Sequence, residues 1–384
     1  MDLTLTETQR ALKELARDFV KAECPREKLR EWDANEVFPR HLIRKLGDLG
    51  FTGLPFPEEV GGAGGSVLDV TVVTEELARG MRALSAAYLL VVSYGGESIL
   101  RFGSPAQKAS LLPRLIQGDM VISLAVTEPD AGSDAGAVQT TAELHGDEFV
   151  INGSKTFISG VQIADMILVL ARTDRDLPKT KGLGLILVDK ETPGLVVSQI
   201  HKLGERAMDL NSLSFNDVRV PRENLVGGLT DGWRQLGQIF DVERVLIAAE
   251  AVGIADMILA DALEYVAGRR QFGTSIGSFQ MVQEMLVDAH VELEAARLLT
   301  YRAAQLIDAG MPCTKEAAMA KLYAGEMCVR AALKGMQVMG GYSYTTEWDM
   351  ERYLRDSVLF PIGGGTSQIQ RLVIARQMGL GADR

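Results

Sequence analysis

Cysteine is nearly absent from this chain. Its 384 residues hold three, Cys24, Cys313 and Cys328, with no CxxC pair among them, and the four histidines (His41, His145, His201, His290) lie just as far apart. Such spacing supplies neither a disulfide framework nor a zinc cluster, so no metal is expected and the thiols read as buried or idle. Long apolar runs are missing too. No window reaches the ~18 uninterrupted apolar residues of a membrane span, and MDLTLTETQR at the N-terminus carries neither a basic nor an apolar leader segment. The expectation is a cytoplasmic protein with no membrane role. With a formal net charge of −11 and no Lys/Arg run to offset it, nonspecific nucleic-acid binding is disfavoured. The chain also lacks a dinucleotide-type Gly-rich turn after a strand, a P-loop and HExxH. GTSIG at 273–277 fits the G-x-S-x-G hydrolase pattern, but ALEYVAGRRQF before it has helical rather than strand character, which makes Ser275 a loop residue.

What is present is an ordinary globular composition, 47% hydrophobic and 24% charged, over a length that suits two or three domains. Leu12, Leu15, Ala16, Phe19 and Val20 recur at helical spacing, as do apolar positions of 41–49 and 72–84, with PEEVGGAGGS at 57–66 as a loop between helices. Residues 1–120 therefore read as a helical domain. From 121 to 230 the period is that of strands: VISLAVT, EFVI, KTFI, MILVLART, GLGLILVD, GLVVSQI and LSFNDVRV read as a small antiparallel sheet or barrel. Asn152-Gly153, between FVI and KTFI, predicts a two-residue hairpin. Helical spacing returns over 231–384, in segments at 232–268, 278–309, 314–339 and 366–379, which predict a bundle. The fold class is α+β, in the order α, β, α.

Three stretches carry candidate chemistry. AVTEPDAGSD (125–134) leaves a strand for a loop of small residues in which Thr127, Ser133 and backbone amides could bond a ligand edge, although an ordinary surface loop has the same composition. In QIFDVERVLIAAEAVGIADMILA the apolar stripe runs through Phe240, Ile247, Ala251, Ile254 and Ile258, and Glu243 falls on its edge. A carboxylate there must be paired or functional, because burying its charge alone is costly. Arg244 beside it offers a plain ion pair, and Glu250, two turns on, lies on a similar azimuth. Finally, FPIGGGTSQIQR (360–371) places three glycines before a helix start, with no acid or base among them.

AVTEPDAGSD, NGSKTFIS, RRQFGTSIGSFQ, QVMGG and GGGTSQIQRLVIAR resemble, in that order and spacing, the motifs of acyl-CoA dehydrogenases. The resemblance covers essentially the whole chain. It implies a helical domain, a β domain and a C-terminal four-helix bundle, FAD as cofactor, and a homotetramer built as a dimer of dimers. By the same resemblance Val126 and Thr127 bond the pyrimidine edge of the flavin ring, Phe157, Ile158 and Ser159 flank it, and Ser133 lies near both FAD and the thioester. Arg269, Gln271, Phe272, Phe279 and Gln280 correspond to the part that reaches the ADP half of FAD on a neighbouring subunit, and Gln337, Gly340, Gly341, Thr366 and Gln368 match further dinucleotide contacts. Asp241 and Arg244 match positions that contact the CoA moiety.

The implied reaction removes a proton from Cα of an acyl-CoA thioester and a hydride from Cβ, giving the 2,3-enoyl thioester, with an electron-transferring flavoprotein as acceptor. It needs a base and hydrogen-bond donors for the developing enolate. The commonest family pattern has a glutamate at the position of Gly364, after an aromatic at that of Gly363; this chain has neither. The isovaleryl-CoA and long-chain branch instead carries its base on the preceding helix, in a context that VERVLIAAE (242–250) resembles, which assigns the base to Glu243 and leaves Gly364 to offer its N–H to the thioester oxygen. Glycine at 363 and 364 leaves room for a short, medium or branched acyl group. A thioester reductase or flavin monooxygenase on the same fold, and an acyl-CoA binding protein without catalysis, are the alternatives.

Overall fold

The computed structural model describes residues 4–381. Seven α-helices form the first part: α1 (Glu7–Glu23), α2 (Arg26–Asn35), α3 (His41–Asp48), α4 (Val67–Gly80), α5 (Arg82–Leu89), α6 (Ser98–Phe102) and α7 (Pro105–Ile116). Thr6, Ser66 and Ser104 each close a capping box with the residue three positions on, which is why α1, α4 and α7 start where they do. Between α5 and α6 the chain stays helical but winds as a π segment, Leu90–Glu97. The run Arg82–Phe102 is long and apolar enough to cross a bilayer, yet 83% of its most apolar window is buried inside the protein, so it serves as a core helix.

A β unit follows, with β1 (Ile122–Ala125), β2 (Thr141–His145), β3 (Glu148–Ser159), β4 (Met166–Arg172), β5 (Leu183–Asp189), β6 (Leu195–Gln199), β7 (Leu210–Pro221) and β8 (Leu225–Val226). The sheet runs β6-β7-β3-β2-β4-β5-β8, and β1 pairs with β4. It is not wholly antiparallel, since β1–β4 and the single β2–β4 pair are parallel. The expected hairpin at Asn152-Gly153 does not form. The reversal lies instead at Gly146-Asp147 between β2 and β3, where Gly146 takes a φ of +65°. Asn152 and Gly153 sit within one continuous strand, β3, at a bulge against β7. There the Asn152 amide exchanges hydrogen bonds with Asp217 at 3.0 and 2.9 Å, so a turn-forming dipeptide is held extended by a cross-strand partner.

The C-terminal part is a bundle of α8 (Gly232–Gly268), α9 (Gln280–Asp308), α10 (Thr314–Met339) and α12 (Ser367–Gln377), with a small β9–β10 ribbon (Arg270–Gln271, Thr274–Ser275) and α11 (Met350–Ser357) between them. These helices fall on the four segments that the periodicity predicts. The apolar residues of α8 join those of α4, α5, the π segment and α10 in one continuous core, so α8 is the axis on which the helical parts meet. Ser275 donates to the Val266 carbonyl at 2.6 Å, a local loop tie rather than a nucleophile's geometry.

Candidate active site

α8 places Glu243 where the stripe argument puts it, at 7% exposure. Its Oε1 accepts a hydrogen bond from the Tyr94 hydroxyl at 2.5 Å. The alternative ion pair with Arg244 is not made: Arg244 donates to Asp241 at 2.6 Å, and the other Asp241 oxygen accepts from the Thr314 hydroxyl at 2.6 Å. Burial raises the pKa of Glu243; the Tyr94 hydrogen bond and the charges of Arg244 and Lys321 oppose that rise without cancelling it. Glu250 has a different fate. It is fully buried with Oε1 3.0 Å from Arg82, which also meets Glu205 at 3.0 Å, and burial pushes it up to about 7. It is a core ion-pair member, leaving Glu243 as the carboxylate available for chemistry.

Gly364 lies against Glu243, although the whole of α9, α10 and α11 separates them in sequence. A Cβ built on Gly364 would stand 3.7 Å from Glu243 Oε1, and only 2.4 Å from Ile247 Cδ1. Its φ is +59°, which a side chain rarely adopts. The room expected from the glycine pair is therefore halved: Ile247 fills the space at Gly364, while a Cβ at Gly363 would meet only ordinary contacts, the nearest 3.4 Å from Leu359.

The glycine loop is held from behind by Lys321, which is 1% exposed. Its ammonium donates to the carbonyls of Phe360, Gly363 and Gly365 at 2.7, 2.7 and 2.6 Å. Gln370 donates to those of Gly364 and Gly365 at 3.1 Å each. A trans peptide points its N–H opposite to its C=O, so turning the Gly363 carbonyl inward turns the Gly364 N–H outward. That N–H has no hydrogen-bond partner among the described residues. A buried carboxylate beside a loop with an unpaired backbone donor supplies the two groups that α-proton removal requires. Next to it a cavity of about 260 Å³ is lined by Trp233, Phe240 and Arg244 of α8, Thr314, and Val373 and Arg376 of α12, which combines apolar walls with two guanidinium groups.

On the β side, Val126 and Thr127 follow β1, and the carbonyl of Thr127 accepts from Thr156 N at 2.9 Å. Phe157 sits at the irregularity of β3 with a φ of +58° and 62% exposure, Ile158 is buried, and the Ser159 carbonyl accepts from the Ser123 hydroxyl at 2.8 Å. An exposed aromatic held in a strained conformation beside a strand end fits one face of a flat heteroaromatic ring. Ser133 is exposed in the loop between β1 and β2. Thr366 caps α12, accepting from Ile369 N at 3.2 Å, with Gln368 exposed beside it.

The remaining expected cofactor residues lie elsewhere. Arg269 stacks over Tyr342 at 5.5 Å, Phe272 is 94% exposed and 6.1 Å from Phe279, and Gln271, Gln280, Gln337, Gly340 and Gly341 are exposed around them. This patch is ~39 Å along α8 from Glu243 at 1.5 Å per residue. The chain does not bring it to its own Glu243.

Tyr94, Lys321 and Ile247's contact with Gly364 were not anticipated as site features, nor was the buried pair Lys155–Glu128 at 2.8 Å, whose lysine also donates to the Val126 carbonyl at 2.9 Å. The signal open to a reader was polarity inside apolar runs: Tyr94 in YLLVVSYGG and Lys321 in AAMAKLYA.

Family models match in sequence order: acyl-CoA dehydrogenase N-terminal domain at 6–119, middle domain at 123–218 and C-terminal domain at 230–379. The chain belongs to the acyl-CoA dehydrogenase family. It is 41% identical over 379 residues to a probable acyl-CoA dehydrogenase of Bacillus subtilis, YngJ, covering 98% of this chain and 100% of that one. It is 37% identical over 372 residues to the CarC subunit of the caffeyl-CoA reductase–Etf complex of Acetobacterium woodii, covering 96% and 98%. Among solved structures, butyryl-CoA dehydrogenase of Megasphaera elsdenii superposes with a TM-score of 0.95 at 35% identity, covering 98% of this chain and 100% of that one. As an acyl-CoA dehydrogenase the protein is a flavin-dependent oxidoreductase, and FAD is the cofactor of the family.

Proposed function

We propose that this acyl-CoA dehydrogenase oxidises an acyl-CoA to its trans-2-enoyl-CoA with Glu243 as the base, in the manner of the isovaleryl-CoA and long-chain branch. The observation that carries the reading is the contact between Glu243 and Gly364, the carboxylate 3.7 Å from where a side chain at 364 would begin. Bound FAD supplies the acceptor for the β-hydride. The rest is done by this chain. Val126, Thr127, Phe157, Ile158 and Ser159 hold the ring system, the Gly364 N–H receives the thioester oxygen, and Glu243 takes the α-proton. Asp241 and Arg244, at the cavity beside the site, steer the CoA moiety, with Arg376 as a second cation. Ser133 bonds both ligands from the β1–β2 loop.

Substrate size follows from the same atoms. Gly363 leaves space while Ile247 closes off Gly364, which favours a short or modestly branched acyl group. A relative is named as butyryl-CoA dehydrogenase, in keeping with that choice. Electrons pass to an electron-transferring flavoprotein; the Acetobacterium relative is named as a subunit of a reductase–Etf complex, which supports a partner of that kind. The setting is cytoplasmic. The exposed patch around Arg269, Phe272, Phe279 and Gln337 serves the FAD of a neighbouring subunit, in a homotetramer built as a dimer of dimers.

Glu243→Gln keeps the size of the side chain and removes the base. The variant is expected to hold FAD and acyl-CoA while flavin bleaching by butyryl-CoA under anaerobic conditions is lost. Bleaching at the wild-type rate would sink the assignment.

A further inference from the structure

Glu243 is bracketed by two side chains that its role as base does not by itself require. Tyr94 reaches it from the π segment and Lys321 from α10. A π turn carries more residues than an α turn, and this changes which side chains face a neighbouring helix. Here it lets Tyr94 point at α8 while Tyr88, on α5, donates to the Phe51 carbonyl at 2.9 Å in the core of the helical domain. The back of the segment is tightly packed: a Cβ would come within 2.9 Å of Ile122 at Gly95 and 2.2 Å of Phe56 at Gly96. Glycine at both positions lets the segment lie close against Ile122 and Phe56 while Tyr94 reaches α8.

Lys321 has three N–H donors, and all three are used on loop carbonyls. It therefore acts on Glu243 through its charge alone, while its hydrogen bonds decide where the Gly364 N–H points. One side chain orients the carboxylate and the other orients the donor opposite it.

We propose that Glu243 works as a unit with two positioning residues: the Tyr94 hydroxyl fixes the carboxylate that takes the proton, and the Lys321 ammonium fixes the backbone donor that faces it. This rests on the reading of Glu243 as the base. A short O–H···O⁻ bond is among the stronger ones a side chain can make, and it removes the rotational freedom of a glutamate at the moment of proton transfer.

The charges around the site give the unit a measurable signature. Glu243 is faced by Arg244 on its own helix, by Lys321 from α10 and by Tyr94 from the π segment; Glu250 and Arg82 act on Tyr94 from α8 and α5. Burial favours the protonated carboxyl, and Tyr94 and Lys321 both oppose it. Removing either leaves burial less opposed, so Glu243 keeps its proton to higher pH.

The test is an infrared titration of the holoenzyme, following the carboxylic-acid C=O band assigned to Glu243 by its loss in Glu243→Gln. In Tyr94→Phe, which keeps the ring, the midpoint of that band should move up. Lys321→Met should also move it up, and Lys321→Arg, which keeps the charge, should bring it back toward wild type. Should Lys321→Met fail to fold, Tyr94→Phe decides alone. An unmoved midpoint in Tyr94→Phe, with bleaching lost in Glu243→Gln, overturns the unit and leaves the base standing; bleaching retained in Glu243→Gln overturns both.

Discussion

At the scale of single residues, Glu243 and Gly364 are two halves of one decision. In the commonest family pattern the acid is at 364; here that position has a left-handed φ of +59° and Ile247 Cδ1 within 2.4 Å of any Cβ. Moving the acid back, as Glu243→Gly with Gly364→Glu, is thus expected to fail rather than restore activity. The variant should lose bleaching and about 1–3 kcal/mol of stability from strain and overpacking, as read by denaturant unfolding. Adding Ile247→Ala should recover part of the stability. Glu250, two turns along α8, makes a separate prediction. Burial lifts it from the ordinary 4.5 to about 7, so between those values the folded chain holds a proton that the unfolded chain releases. Its contribution to stability therefore falls as pH rises through that window. Glu250→Gln should flatten that part of the melting-temperature profile, measured by thermal unfolding across pH 4.5 to 7.

At the scale of elements, the two stretches proposed to hold the flavin are tied by one buried pair. Lys155 on β3 holds the Val126 carbonyl and Glu128, and Glu128 also accepts from the backbone N–H groups of Gln139 and Thr140 at 2.6 and 2.9 Å. Burial pushes Lys155 down to about 8, against the pull of Glu128. Lys155→Met leaves Glu128 buried without its cation, which costs about 3–5 kcal/mol when one partner of a buried pair is removed. It is expected to weaken FAD retention, seen as free flavin fluorescence on dilution, before it abolishes folding. The helices of this protein were legible because periodicity reports burial: α8, α9, α10 and α12 lie where their apolar spacing put them. The burial of Glu243 was legible for the same reason. The Asn152-Gly153 turn was misread because a dipeptide's local preference says nothing about Asp217, 65 residues on, which holds it extended. Tyr94 and Lys321 went unread because their meaning depends on what stands across from them: a π turn in one case, three carbonyls of a distant loop in the other.

At the scale of the molecule, the outer face of α9 carries Val287, Val291 and Leu298, each about half exposed or more, spaced as one stripe. Leu333 of α10 and Phe272 are exposed as well. An exposed apolar stripe such as that of α9 marks association. If the proposed tetramer forms through this face, Val291→Glu is expected to yield smaller species in analytical ultracentrifugation. FAD should be released in parallel, because the Arg269–Phe272 patch would then lose the neighbouring subunit it is proposed to serve. Smaller species that keep full FAD occupancy would break the link between assembly and cofactor.

Lys321 also bears on how the bundle closes. Its three carbonyl partners all come from residues 360–365, after α11. Burying the ammonium without them is costly, so the helices close around α10 only with that loop in place. The loop that carries Gly364 is thus a requirement of the core as well as part of the proposed site.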